Sequence, residues 1–283
     1  MQKIRWKCRI APSLGGGFEG TPQGAWGVEE YKEEHHPTVF FGLYGLPDFY
    51  ALWKHKGNRS ILWAGSDITN FVNGYWLDDV GKIRLEPKSL VKYINEYCES
   101  WVENGEQFKA LSRVGLTSFI TPSFLGKVED YEVSYKWDGK IKLYTSVSGD
   151  DFKLYGWDKI SELAIDNPNI EFHLYGNNKS IVCGEDMPEI HLKNLFFHGR
   201  VPQEQMNEET KKMSGALRLT KMDGFSEILA KSILWGQWPI SPHIDYPHML
   251  KDIKEIYNKK EPNIEGRNYY LKILNRYPWN TKS

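Results

Sequence analysis

ALRLTKMDGFSEILAKSILWGQWPIS, residues 216–241, decides the fold. It opens as a strand over 216–220, turns through Asp223, Gly224, Phe225 and Ser226, and continues as a helix over 225–235. Phe225, Ile228, Leu229 and Ile233 recur at helical spacing, so one face can pack on a sheet. Gly236 closes the helix and a short strand over 237–241 follows. Gly224 permits a tight turn and a close approach of ligand to backbone. The helix N-terminus presents free N–H groups and a partial positive charge, which suit a diphosphate. In open α/β sheets ligands bind at the carboxyl ends of strands, where this turn lies. Phosphates would repel an acid in such a loop, so Asp223 is better placed to accept hydrogen bonds from sugar hydroxyls. The plainer alternative is that Asp223 caps the helix.

Working outward, the C-terminal half alternates strand and helix. IKLYTSV (141–147) is a strand, and a helix over 153–166 ends at Asn167-Pro168-Asn169. Strands IEFHLYG (170–176) and NLFFHG (194–199) follow, then a helix over 203–213. Helices near 246–258 and 264–276 finish the chain. This alternation implies parallel βαβ units in a doubly wound sheet.

Towards the N-terminus, GKVEDYEVSYKWDG (126–139) is polar and turn-rich, and the domain boundary falls there. Before it, TVFFGLY (38–44) is a buried strand, 46–57 a short helix with Pro47 in its first turn, and RSILWAGSD (59–67) a strand leading into a loop. Residues 87–111 read as one helix, with Leu90, Val91, Ile94, Tyr97, Cys98, Trp101 and Val102 at spacings of three and four. TSFITPS (117–123) is a short strand, and the first 36 residues are loops around at most one strand.

The hydrophobic content of 40% is enough for packed cores, and 36 basic against 37 acidic residues leave a net charge of -1. A phosphate-neutralising nucleic-acid binder has a basic excess, which argues against nucleic acid as a partner. Cys8, Cys98 and Cys183 are widely spaced, so a reducing cytoplasm fits better than a disulfide framework. With no apolar run of membrane-spanning length, membrane contact is expected to be at most peripheral. His243, Asp245 and His248 form a conceivable metal set that lacks a third histidine at suitable spacing, so no metal is expected.

The order FFHGRVPQEQM … SGALRLTKMDGFSEILAKSILWGQWPIS, from Asn194 to Ser241, resembles the retaining GT-B glycosyltransferases of the family-4 type. The match is strong over about 50 residues and loose over the C-terminal half. The resemblance implies an α/β chain with two Rossmann-like domains facing a cleft, the N-terminal one shortened. Residues 1–130 would bind acceptor and 131–262 the nucleotide sugar, with 263–283 packing back on the first domain. It further implies a hexosyltransferase-type enzyme without cofactor or metal. Such an enzyme moves a sugar from a nucleotide-diphosphate sugar to a saccharide, lipid-linked or other hydroxyl acceptor with retention. Carried over by position, Asp223 contacts the donor sugar, Gly224, Phe225 and Ser226 hold the diphosphate, and Gly199 and Arg200 lie near the nucleotide.

Three departures bear on activity. The family's second acid, which holds the ribose, falls on Lys231. The family's arginine after the first strand of this domain is missing, leaving Lys153 as the cation for the departing diphosphate, with Lys159 behind it and Arg218 and Lys221 flanking the turn. In the N-terminal half, ILWAGSDI resembles a cleft element, making Trp63 and Asp67 acceptor candidates, while Gly15, Gly16 and Gly17 resemble a glycine loop near the donor. His35 and His36 are the only positional match to the family's histidine. Two alternatives remain: a non-catalytic nucleotide-sugar-binding subunit, or a GT-B-type nucleotide-sugar epimerase.

Overall fold

The computed structural model describes residues 5–14, 25–32, 35–76, 84–85, 87–147, 152–176, 192–221 and 223–280. Gly15, Gly16, Gly17 and Cys183 lie outside the described residues. Contacts divide the chain into two units. The first is Met1–Lys127 with Met222–Phe225 and Ile273–Ser283; the second is Val128–Lys221 with Ser226–Lys272.

In the first unit, β1 (Lys7–Ile10), β2 (Glu29–Glu30), β3 (Thr38–Phe41), β4 (Arg59–Leu62), β7 (Cys98–Val102) and β8 (Phe119–Ile120) form an all-parallel sheet. Its order is β2-β1-β3-β4-β7-β8, so the chain reverses direction between β1 and β3. All four residues of β3 are buried, as expected of a strand covered on both faces. The helices are α1 (Leu46–Lys54), α2 (Ser66–Asn73), α3 (Pro87–Tyr97) and α4 (Gly105–Arg113). Strands β5 (Tyr75–Trp76) and β6 (Arg84–Leu85) pair antiparallel apart from the main sheet.

Three sequence expectations change here. The 87–111 helix is α3, then β7, then α4. Cys98, Trp101 and Val102 fit a helical period, but Ser100 and Val102 point inward as alternate residues of a strand paired to β4. Asn104 then caps α4, its side chain accepting from Gln107 N–H at 3.0 Å. The expected loop after Asp67 is α2, opened by Gly65 at φ 111°. The first 36 residues also hold two strands rather than one.

In the second unit, β9 (Ile141–Ser146), β10 (Ile170–Tyr175), β11 (Leu195–Gly199) and β12 (Gly215–Ala216) form a parallel sheet ordered β11-β10-β9-β12. Helices α5 (Ile160–Asp166), α6 (Gln203–Thr210), α7 (Glu227–Leu234) and α8 (Ile264–Ile273) accompany it. Leu143, Ile170, Phe172, Leu174, Leu217 and Ile240 are buried in one cluster with Trp157. The strand expected over 237–241 reduces to single bridges of Ile240 with Leu217 and Leu250, because Pro239 has no N–H to donate. The 246–258 helix is a 3-10 segment over Ile253–Asn258, and a 3-10 turn at Trp157–Lys159 precedes α5. Among the described residues no helix is long and apolar enough to cross a membrane.

One polar chain lies across β10 and β11. The His173 and His198 rings stack at 5.1 Å with Nδ1 and Nε2 2.9 Å apart, and Tyr175 donates to Glu209 at 2.7 Å. Burial, then His198, pushes the His173 pKa down from 6.5 to about 4, against the opposing pull of Glu171. Its neutral form is therefore the folded form. That contribution to stability is complete above about pH 6.5 and is lost as the pH falls towards 4. Urea unfolding at pH 7 and pH 5 is expected to show a shallower acid loss for His173→Phe than for the native chain.

Candidate functional site

Two strand-end regions, one in each unit, bear on the proposed chemistry. In the second unit the chain direction reverses between β9 and β12, the place where open α/β sheets take ligands. Arg218 follows β12 there and is 7% exposed. Its Nη1 donates to Ser146 O at 3.3 Å, and its guanidinium lies 4.1 Å from the Tyr155 ring centroid. The loop bearing Tyr155 is fixed by Gly156 at φ 74°, where a Cβ would come within 2.5 Å of Leu219 Cβ. The carboxyl edge of β10 and β11 carries two glycines, Gly176 and Gly199. Gly176 N–H donates to Gly199 O at 2.9 Å, and Gly199, at φ 69°, has open space where a Cβ would project.

The other residues singled out around this edge differ in standing. Arg200, Lys153, Lys159 and Lys221 are exposed. Ser226 is buried at the N-cap of α7 without a side-chain capping bond. Lys231 is half-buried, its Nζ donating to Asn207 Oδ1 at 3.2 Å, and burial lowers its pKa while Glu227 opposes. Tyr131 has its pKa raised to about 12 by burial and by Glu227, with Asn207 acting the other way.

In the first unit the corner 223–225 meets the loop after β7. The Asp223 carbonyl accepts from Asn104 Nδ2 at 2.8 Å and from Gln107 Nε2 at 3.3 Å. Asp223 Oδ1 accepts from Gly224 N–H at 3.0 Å, the local bond of a turn-forming acid. Phe225 N–H donates to Glu103 Oε2 at 3.1 Å, and Ser123 Oγ donates to the other oxygen of the same carboxylate. Gly224 and Phe225 are buried, and a Cβ at Gly224 would overlap Glu103 Oε2. A phosphate could use the Phe225 amide only by displacing Glu103.

Trp63 and Asp67 do structural work. Trp63 is wholly buried and donates from Nε1 to Ser100 Oγ at 2.8 Å. Asp67, also wholly buried, accepts from the N–H groups of Leu43, Ala64 and Ile68 at 3.0, 3.0 and 2.9 Å. Burial pushes its pKa up to about 6, against the pull of those amides. Neither side chain reaches the surface. His35 and His36 are exposed. Asp245 pairs with Lys251 at 2.9 Å, and His248 Nδ1 lies 3.9 Å from Glu265. Among the described residues no group of three His, Cys, Asp or Glu could hold a metal.

Glu103, Asn104, Gln107 and Ser123 are absent from the sequence reading. The signal is Asn104 followed by Gly105, a cap before a helix, but it is hidden once 87–111 is taken as a single helix.

No protein-family model and no curated protein sequence matches the chain. Solved structures do. Sucrose-phosphate synthase from Thermosynechococcus elongatus is similar at TM-score 0.56 and 11% identity, over 83% of this chain and 69% of that one. The lipopolysaccharide outer core galactosyltransferase WaaB is similar at TM-score 0.53 and 9% identity, over 96% of both chains. S. aureus TarM, solved with UDP, is similar at TM-score 0.51 and 12% identity, over 85% of this chain and 52% of that one. The chain has the GT-B fold. It spans about half the length of TarM and of the pneumococcal O-GlcNAc transferase GtfA, at 52% and 54% of those chains.

The geometry gives two expected outcomes. Asp67→Ala leaves two buried amides and one half-buried amide without their acceptor and should lower the unfolding free energy by about 2 kcal/mol or more in urea titrations. Gly224→Ala should cost about 1–3 kcal/mol through overpacking against Glu103. A double-mutant cycle with Glu103→Ala should recover most of that loss.

Proposed function

We propose that this chain is a glycosyltransferase that moves a sugar from a nucleotide-diphosphate sugar to an acceptor hydroxyl. The observation that carries the reading is Arg218, a buried guanidinium at the direction reversal of a Rossmann-like sheet, on a fold similar to that of sugar transferases. A guanidinium stays charged at any working pH and matches two phosphate oxygens at once. Arg218, rather than the exposed Lys153, is therefore the principal cation for the departing diphosphate. Lys153, Arg200 and Lys221 add to the positive field from solvent. Gly199 leaves room for the nucleotide, Lys231 and Asn207 lie along α7 and α6, and Ser226 opens α7. Asp223 reads the sugar hydroxyls.

In the proposed reaction the bond between the anomeric carbon and the diphosphate oxygen breaks. A bond to the acceptor oxygen forms on the same face of the sugar, which retains configuration. The acceptor's proton ends on the departing diphosphate. No metal takes part, because the guanidinium and the lysines balance the charge that develops. The acceptor is a saccharide, a lipid-linked sugar or another hydroxyl compound.

A second reading, a subunit that binds nucleotide sugar without turning it over, is favoured by the Glu103 carboxylate on the Phe225 amide and by Lys231 in place of the family's second acid. Thermal-shift and turnover measurements across nucleotide sugars and an acceptor panel separate the two. A transferase gives product, unaffected by a chelator and of retained anomeric configuration by NMR. Donor-induced stabilisation without product with any acceptor supports the second reading. In a transferase, Arg218→Ala is expected to cut kcat/KM by about 100-fold. Asp223→Ala should do the same with an unchanged circular-dichroism spectrum, and native turnover in both variants would remove the site assignment.

A further inference from the structure

Glu103 ends the loop side of β7 at 8% exposure, and its two carboxylate oxygens serve different donors. Oε1 receives the Ser123 hydroxyl and Oε2 the Phe225 N–H at 3.1 Å. The loop that bears Glu103 is itself braced. Glu103 N–H donates to Gln107 Oε1 at 2.7 Å, while Asn104 Nδ2 and Gln107 Nε2 hold the Asp223 carbonyl at 2.8 and 3.3 Å. Gly224 has no Cβ, and this lets the carboxylate come so close.

A backbone N–H aimed at a carboxylate oxygen makes the same bond that it would make with a phosphate oxygen. We infer that Glu103 is a built-in anion that holds the Phe225 amide in place of a donor phosphate, so that the corner takes a diphosphate only in competition with this carboxylate. The contact is autoinhibitory, and it rests on the reading of 223–225 as part of a donor site. Two negative charges a few ångströms apart in a buried setting repel strongly. The incoming phosphate must therefore displace Glu103 to reach that amide. Glutamine at the same position keeps the volume and a carbonyl acceptor for Phe225 N–H while removing the charge.

The test is calorimetric titration of the full chain with UDP, GDP and ADP in turn, for the native protein and Glu103→Gln. The expected result is at least about tenfold tighter binding by Glu103→Gln for the diphosphate that the native chain prefers. That gain should shrink as salt is raised. A purely structural role for Glu103 predicts equal or weaker binding, and either result overturns the inference while leaving the donor-site reading intact. If neither the native chain nor Glu103→Gln binds any diphosphate, the donor-site reading falls and the inference with it. Because Glu103→Gln can fail to fold, the native chain is also titrated with UDP, GDP and ADP while the Phe225 amide is followed by NMR. Exchange of carboxylate for phosphate moves that resonance, and a diphosphate that binds without moving it overturns the inference.

Discussion

A buried carboxylate must have donors on both oxygens, and Glu103 finds them at two places far apart in sequence, Ser123 and Phe225. Much of the first unit's site geometry follows from that requirement. The β7 strand must deliver residue 103 to its carboxyl end, and Asn104 must stop the strand and start α4 within one residue. Residue 224 must be glycine, because no side chain fits against the carboxylate. The corner 223–225 owes its conformation to this contact more than to the helix that follows it.

The second unit solves a different problem. A parallel sheet ordered β11-β10-β9-β12 leaves a gap at its carboxyl edge where successive connections leave in opposite directions. Most of the acids, amides and rings near that gap are spent on neighbours. Arg218 is held by a carbonyl oxygen and an aromatic face, which orient it. An exposed lysine such as Lys153 has neither restraint, so water and rotamer freedom dilute its charge.

The legibility of the chain follows from how much each element relies on local pattern. The strands at 141–146 and 170–175 and the helix at 227–234 are plain in sequence because apolar run, turn residue and length agree. The stretch 87–111 is not, since Cys98 and Val102 satisfy both a helical and a strand period. Only pairing with β4, a contact about 40 residues back, chooses between them. Glu103 was lost with that choice. Trp63 and Asp67 illustrate the reverse case. Their motif is visible, but a motif does not reveal burial, and both side chains turn inward, Trp63 to the Ser100 hydroxyl and Asp67 to backbone amides. Arg218 was visible as a charge beside the turn, while its advantage over Lys153 depends on Ser146 and Tyr155, which no spacing places beside it.

The acids at the strand ends divide the labour between the two units. In the first unit Asp48 accepts from the Tyr44 and Gly45 amides and pairs with Arg9, Asp67 accepts from Leu43, Ala64 and Ile68, and Glu103 from Phe225. Those loop amides are already met by the unit's own carboxylates. The second unit places glycines and a guanidinium at the corresponding edge. On the proposed reading a dianionic diphosphate is favoured more by the second edge than by the first, whereas a neutral hydroxyl compound is indifferent to the difference. On the proposed reading this sorts donor from acceptor by charge before any sugar is recognised. Glu103 sits where the sorting is least complete, with a carboxylate on an amide of the corner that leads into α7.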